Sequence, residues 1–165
     1  MEQLLSTPVR PVELLIGKLS AYFVLGVVDM VLSIVFAIYV MGIPFRGSII
    51  LLVVAAVLFL FGSLCWGLLL SVATRSQHQA YQMATLTSFL PAFLLSGFIY
   101  AIENMPGVIQ VVTYIVPARY FVTVLKGIFL KGVGLNVLWM EYLFLFAYAA
   151  GVFVVATRKM RQKVA

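Results

Sequence analysis

Charge is scarce in this sequence. Of its 165 residues only 10% are Asp, Glu, Lys or Arg, and only five are acids. A soluble domain carries about 25% charged residues, so an ordinary water-exposed surface is excluded. The acids Glu2, Glu13, Asp29, Glu103 and Glu141 lie far apart, which leaves no paired carboxylates for acid–base catalysis. The one histidine, His78, rules out a metalloprotease helix, which needs two histidines on one face with a glutamate. The one cysteine, Cys65, sits inside an apolar run and cannot form an internal disulfide. No serine lies in a G-x-S-x-G elbow. The Gly17-Lys18 pair has Val12 where a phosphate loop needs its first glycine and Leu19 where it needs a hydroxyl. The residues therefore supply no catalytic site, no nucleotide loop and no metal site, and the chain reads as a non-enzyme that binds no cofactor itself.

What is present is apolar. Hydrophobic residues make up 64% of the chain, and the mean hydropathy is +1.16. Four long runs stand out, at about 19–41, 49–73, 80–100 and 135–157, each near the roughly 20 residues a helix needs to cross hydrocarbon. In lipid each backbone polar group must be satisfied within its own segment, so such runs predict an all-α membrane protein with about four transmembrane helices.

The connections add detail. "GIPFRGS" (residues 42–48) has the glycines and proline of a turn between antiparallel helices, and "TRSQHQ" (74–79) is too polar to stay in hydrocarbon. Between the third and fourth runs, Val108–Val116 and Tyr120–Leu130 are too short to cross, and Pro106 and Pro117 sit where new helices would begin. These pieces predict a short re-entrant helical hairpin at about 105–131. With four spans both termini share one side. That side holds seven cations (Arg10, Lys18, Arg75, Arg158, Lys159, Arg161, Lys163), against four opposite (Arg46, Arg119, Lys126, Lys131), which predicts cytoplasmic termini and a basic cytoplasmic tail at 158–165. The net charge of +6 thus reflects orientation and anionic lipid rather than nucleic acid.

Two acids stand out as candidates for a substrate path or gate. Asp29 falls near the middle of the first run, where a charged aspartate costs about 2.5–3.5 kcal/mol and must face a bundle interior, a water path or a partner. It fits either a packing acid or a group lining a substrate route, and in an ion-coupled carrier it would be the ion site. Glu103, in "FIYAIENMPG", fits a cap on the helix after Pro106, a partner for Arg119 or Lys126, or an outer gate. Pro91 predicts a kink. Gly62 and Gly67, with Ser63 and Ser71 nearby, offer surfaces for close helix packing.

The opening "MEQLLSTPVRPVELLIGK" is neither span nor signal peptide, because the first apolar run begins only at Leu19. Leu4 and Leu5 share a face of a short interfacial helix, Thr7-Pro8 breaks it, and Pro11 can begin a second helix with Glu13 near its positive end. That second helix would continue through Lys18 into the first span.

This stretch closely resembles the cytoplasmic loop of ABC-2 type transporter permeases, an E-x-L-L-x-T-P-V segment leading to "GK" and then a span. "LLSGFIYAIENMPGVIQ" and "IVPARYFVTVLKGIFLKG" are similar to that family's two short outer helices before its last span. The resemblance implies the membrane subunit of an ATP-driven exporter in a bacterial inner membrane, of the multidrug or lipid-linked kind. A separate ATPase subunit would hold ATP and Mg, and a second permease copy, the same or homologous, would complete a dimer. It implies that Glu2, Leu4, Leu5, Thr7, Pro8, Arg10, Glu13 and Lys18 form the coupling segment that docks on the ATPase. It also implies that this chain corresponds to the family's part from the third of six spans onward, without the first two spans and the external domain. A non-transporting membrane module that only assembles with partner helices is the rival reading.

Overall fold

The computed structural model describes residues 11–74 and 76–164, and among them every regular element is helical. Helix α1 (Pro11–Val35) runs from the first described residue without a break through Gly17 and Lys18 into the first apolar run. It ends in a π-helical turn, Phe36–Val40. After the 41–48 loop, α2 (Ile49–Ala73) crosses back as one 25-residue helix. The polar 74–79 stretch then supplies Ser76, whose hydroxyl accepts from the Gln79 N–H at 3.2 Å and caps the next helix. That helix is α3 (Gln77–Ala84), a π turn (Thr85–Phe89) and α4 (Leu90–Leu95) in direct succession. Two short helices follow, α5 (Gly107–Thr113) after Pro106, and α6 (Pro117–Lys126) opening on Pro117 and closing in a third π turn, Gly127–Lys131. The last helix, α7 (Leu135–Val164), is 30 residues long.

Among the described residues, three helices are long and apolar enough to span a bilayer: Leu19–Val40, Ile49–Ala73 and Leu135–Lys159. The α5–α6 pair bends by 87° and makes a fourth candidate only if both arms count together. The run expected at 80–100 differs: its helix begins at Gln77 and ends at Leu95. Gln77, His78, Gln79 and Gln82 dilute its first turns, and Ser96–Gly97 turns the chain out of the helix, with Gly97 at φ +78. At Pro91, where a kink is expected, the helix carries a π turn just before the proline. There the Leu90 N–H reaches back five residues to the Thr85 carbonyl, and a widened turn accommodates a ring that would otherwise press on the carbonyl four residues earlier. Helix α7 continues through Arg158 and Lys159, the first cations of the basic stretch.

The core is built by α2, α6 and α7. Leu52, Ala55, Val124, Ile128, Leu138 and Leu145 are buried together. Helix α7 lies close along α2 because Gly62 has no side chain: a Cβ there would meet the Tyr148 ring at 2.7 Å and the Ala149 Cα at 3.4 Å. Gly67, expected to serve the same purpose, has nothing within 4 Å. The Tyr142 hydroxyl donates to the Leu51 carbonyl at 2.7 Å and ties α7 to α2. Tyr142→Phe keeps the ring and loses that bond. Because the Leu51 carbonyl also belongs to a helix, the expected loss is only about 0.5–1.5 kcal/mol, read as a lowered midpoint in a denaturant titration of the detergent-solubilised chain.

The two helix ends near the hairpin share a design. The π turns at Phe36–Val40 and Gly127–Lys131 both lead into a left-handed glycine, Gly42 (φ 62) and Gly132 (φ 64). The next N–H then reaches back six residues, Ile43 to Ala37 at 3.0 Å and Val133 to Gly127 at 3.2 Å. Left-handed backbone is what glycine tolerates at a helix end.

Candidate functional site

Helix α1 meets this core only at its edge, where Ile34 packs against it partly buried. None of its Leu19–Val40 span is buried, against 28% and 22% of the other two spans. Its close approach to α2 is at Gly26, where a Cβ would meet Leu60 Cδ1 at 2.6 Å. An apolar groove of about 420 Å³ lies between α1, α2 and α6. That volume lies in the range of small-molecule sites, about 300–1,000 Å³.

Residues on one stripe of α1 form the first wall, with Asp29, Ser33 and Ala37 succeeding one another at four-residue spacing. The second wall is α2, with Leu52, Phe59 and Ser63, and the third is α6 and its π turn, with Phe121, Leu125 and Phe129. Phe59 and Phe121 stack face to face at 4.5 Å with 2° between their planes, joining the second wall to the third. Polar groups are few. The Ser63 hydroxyl donates to its own helix at the Phe59 carbonyl, 2.8 Å away. Asp29 is the one acid lining the groove, and its carboxylate has no hydrogen bond or ion pair among the described residues. No cluster of His, Cys, Asp or Glu among the described residues could hold a metal ion. The chemistry on offer is recognition of an apolar body bearing a single cationic or hydrogen-bonding group.

Glu103 belongs elsewhere. It lies exposed in a 3₁₀ turn, Ile102–Asn104, and is not a groove residue. The partners expected for it are taken. Arg119 Nη1 donates to the Thr113 hydroxyl, and its guanidinium lies 3.9 Å from the centre of the Tyr114 ring. Lys126 Nζ donates to the Gly97 carbonyl at 2.7 Å. Nor does Glu103 cap the helix after Pro106, which has no side-chain cap. The hairpin is held instead by uncharged acceptors: Gln110 donates to the Met105 carbonyl at 2.9 Å, Thr113 to the Gln110 carbonyl at 2.7 Å, and Tyr120 to the Tyr114 carbonyl at 2.9 Å.

Of the coupling residues, Glu2, Leu4, Leu5, Thr7, Pro8 and Arg10 lie outside the described residues. Glu13 and Lys18 fall within α1, and their side chains are likewise outside the description. The aromatic wall at Phe59 and Phe121 was not singled out from the sequence. The four-residue spacing of Phe121, Leu125 and Phe129 marks one face of α6, but only the fold places that face opposite Asp29.

Comparison with known proteins follows this architecture. The family described as "ABC-2 family transporter protein" matches residues 1–158. A "Probable multidrug ABC transporter permease YbhS" of Escherichia coli (strain K12) is 47% identical over 149 residues, which cover 90% of this chain and 40% of that protein. "Probable multidrug ABC transporter permease YbhR" of the same strain is 32% identical over 139 residues, 84% of this chain and 38% of the relative. "Inner membrane transport permease YhhJ", also from that strain, is 29% identical over 165 residues, 99% of this chain and 44% of the relative. The chain thus spans roughly two fifths of the length of the curated relatives it matches. No solved structure matches it. With a family match over nearly its whole length and an all-α architecture of membrane-spanning helices, the chain belongs to the ABC-2 transporter family.

Proposed function

We propose that this chain forms part of the membrane permease of an ATP-driven exporter, and that it converts movement of a separate ATPase subunit into movement of the groove. The observation that carries the proposal is the unbroken α1. Its 25 residues run from Pro11, within the segment resembling the coupling loop, to Val35 beyond Asp29. A helix of that length is about 37 Å of stiff rod. A push on residues 2–13 would be delivered along it to one whole wall of the groove. The other walls are held separately by the α2–α7 packing and the hairpin contacts.

In this reading ATP and Mg stay on the partner subunit, and a second permease copy or a homologue faces this one across the membrane. The excess of Lys and Arg around 10–18, 75 and 158–163 supports cytoplasmic termini. The names of the relatives, all transport permeases, support a bacterial inner membrane and an efflux role. The hairpin, whose arms of 7 and 15 residues are each too short to cross, would re-enter the outer face and close the groove there.

Co-purification tests the coupling assignment. The ATPase subunit encoded with this permease is expected to be retained on the tagged permease and lost when residues 2–13 are replaced by a Gly-Ser stretch of equal length. Retention after that replacement would overturn the assignment. Transport that runs without ATP and stops in Asp29→Asn would instead establish an ion-coupled carrier.

A further inference from the structure

The groove has one acid, two serines and otherwise apolar walls, three of them phenylalanines from two different helices. That donor set excludes several ligand classes. With one carboxylate and two hydroxyls on offer, a divalent cation would have to keep most of its water shell, which the apolar walls cannot hydrogen-bond. An anion would meet the Asp29 carboxylate without a compensating cation. A sugar or peptide would leave most of its polar groups unpaired against Leu52, Leu125 and the phenylalanines, at a cost for each.

One class satisfies every wall at once. A lipophilic monovalent cation presents apolar and aromatic surface to the phenylalanines and places its charge on Asp29. The low dielectric of the membrane strengthens that attraction, and aromatic faces add to it. The carboxylate itself argues the same way: it stands exposed where α1 lines the groove, and an acid halfway along a span is costly unless something answers its charge. Nothing in the described chain does so. Resting on the permease reading above, we propose that the groove between α1, α2 and α6 is a binding site for lipophilic monovalent cations, with Asp29 as the charge-recognising residue and Phe59, Phe121 and Phe129 as the apolar bed.

Tetraphenylphosphonium and tetraphenylborate make a decisive pair of probes, because they match in size and shape and differ in the sign of charge. With the chain in lipid nanodiscs and empty nanodiscs as blank, tetraphenylphosphonium is expected to bind saturably and tetraphenylborate only to partition as into the blank. Asp29→Glu should hold affinity within about threefold, and Asp29→Asn should weaken it by at least about tenfold, the size of one attenuated charge contact. Ser33→Phe, one turn along the same wall, fills the groove and leaves the carboxylate in place. It should also abolish saturable binding.

Absence of saturable tetraphenylphosphonium binding to the wild-type chain would overturn the assignment. So would equal saturable binding of tetraphenylborate, or undiminished binding in either Asp29→Asn or Ser33→Phe. Two loss-of-binding variants with different chemistry guard against a misfolded one, and monodisperse elution of each is the entry condition for the assay. None of these outcomes bears on retention of the ATPase subunit, so a failed cation site and a failed coupling assignment are told apart.

Discussion

Ser20→Pro is expected to uncouple the permease while leaving its partner in place. Ser20 lies on α1 at the start of the first span, and its hydroxyl bonds only to the Gly17 carbonyl of its own helix, at 2.9 Å. Proline there removes a backbone donor and presses on the carbonyl one turn earlier, a disruption of about 3 kcal/mol in a helix interior. The rod would acquire a joint between the coupling segment and the groove wall. ATPase subunit should still co-purify, because residues 2–13 are untouched. ATP-driven efflux should fall by at least about tenfold, equivalent to ~1.4 kcal/mol of lost coupling. Ser20→Ala removes the same hydroxyl and keeps the N–H, so it should transport normally. Equal activity in the proline and alanine variants would show that movement does not travel along α1.

Gly47→Ala should destabilise the chain far more than its single added methyl suggests. The 41–48 loop lies directly on the end of the hairpin. A Cβ on Gly47 would stand 2.8 Å from the Ile128 carbonyl oxygen and 3.1 Å from its Cα. Those are backbone atoms of a buried turn, and no rotamer change relieves them. Gly132 meets the loop from the other side, with the Arg46 carbonyl 3.0 Å from its own Cβ position. Overpacking at such a site costs about 1–3 kcal/mol. Gly67→Ala is the matched control: it lies within α2, has nothing within 4 Å, and should gain roughly 0.5–1 kcal/mol from helix propensity. Thermal unfolding of the two variants in the same detergent should therefore move in opposite directions. A neutral Gly47→Ala would mean that loop and hairpin are not packed as described.

The fold class was legible because the membrane imposes it. Runs such as Ile49–Ala73 are long, apolar and uninterrupted, and in lipid a helix is the way to satisfy their backbone. Pro106 and Pro117 marked the two short helices for an equally local reason, their fit to a first turn. The third run was harder to read, since hydropathy alone carried it to residue 100. A left-handed Gly97 and a buried Ser96 ended the helix at Leu95. The pairing of Glu103 with a cation failed on a tertiary detail: Arg119 and Lys126 found neutral oxygens closer at hand. Of the candidate site, Asp29 was visible because a charge in a hydrophobic run is conspicuous. Its aromatic surroundings were not, since Phe59 and Phe121 are ordinary residues in a chain with 13 phenylalanines. Only the position of α6 against α2 gives them a common direction.

The π turn at Thr85–Phe89 has a consequence for how this segment tolerates change in length. A π turn holds one residue more than an α turn does, so the sequence there carries a surplus residue that the backbone absorbs locally. Removing one of the five would let the helix close into regular α geometry with little change in the facing of what lies beyond, whereas the same deletion in a regular α stretch would rotate everything beyond it by about 100°. Thr87 receives the Trp66 indole N–H of α2 at 3.4 Å, just inside this turn. The surplus residue is therefore accommodated without turning the half of the helix that ends at Leu95 relative to the half that meets Trp66. A single-residue deletion between 85 and 89 would thus be tolerated where one elsewhere in this segment would not, and would leave Gly97 facing Lys126.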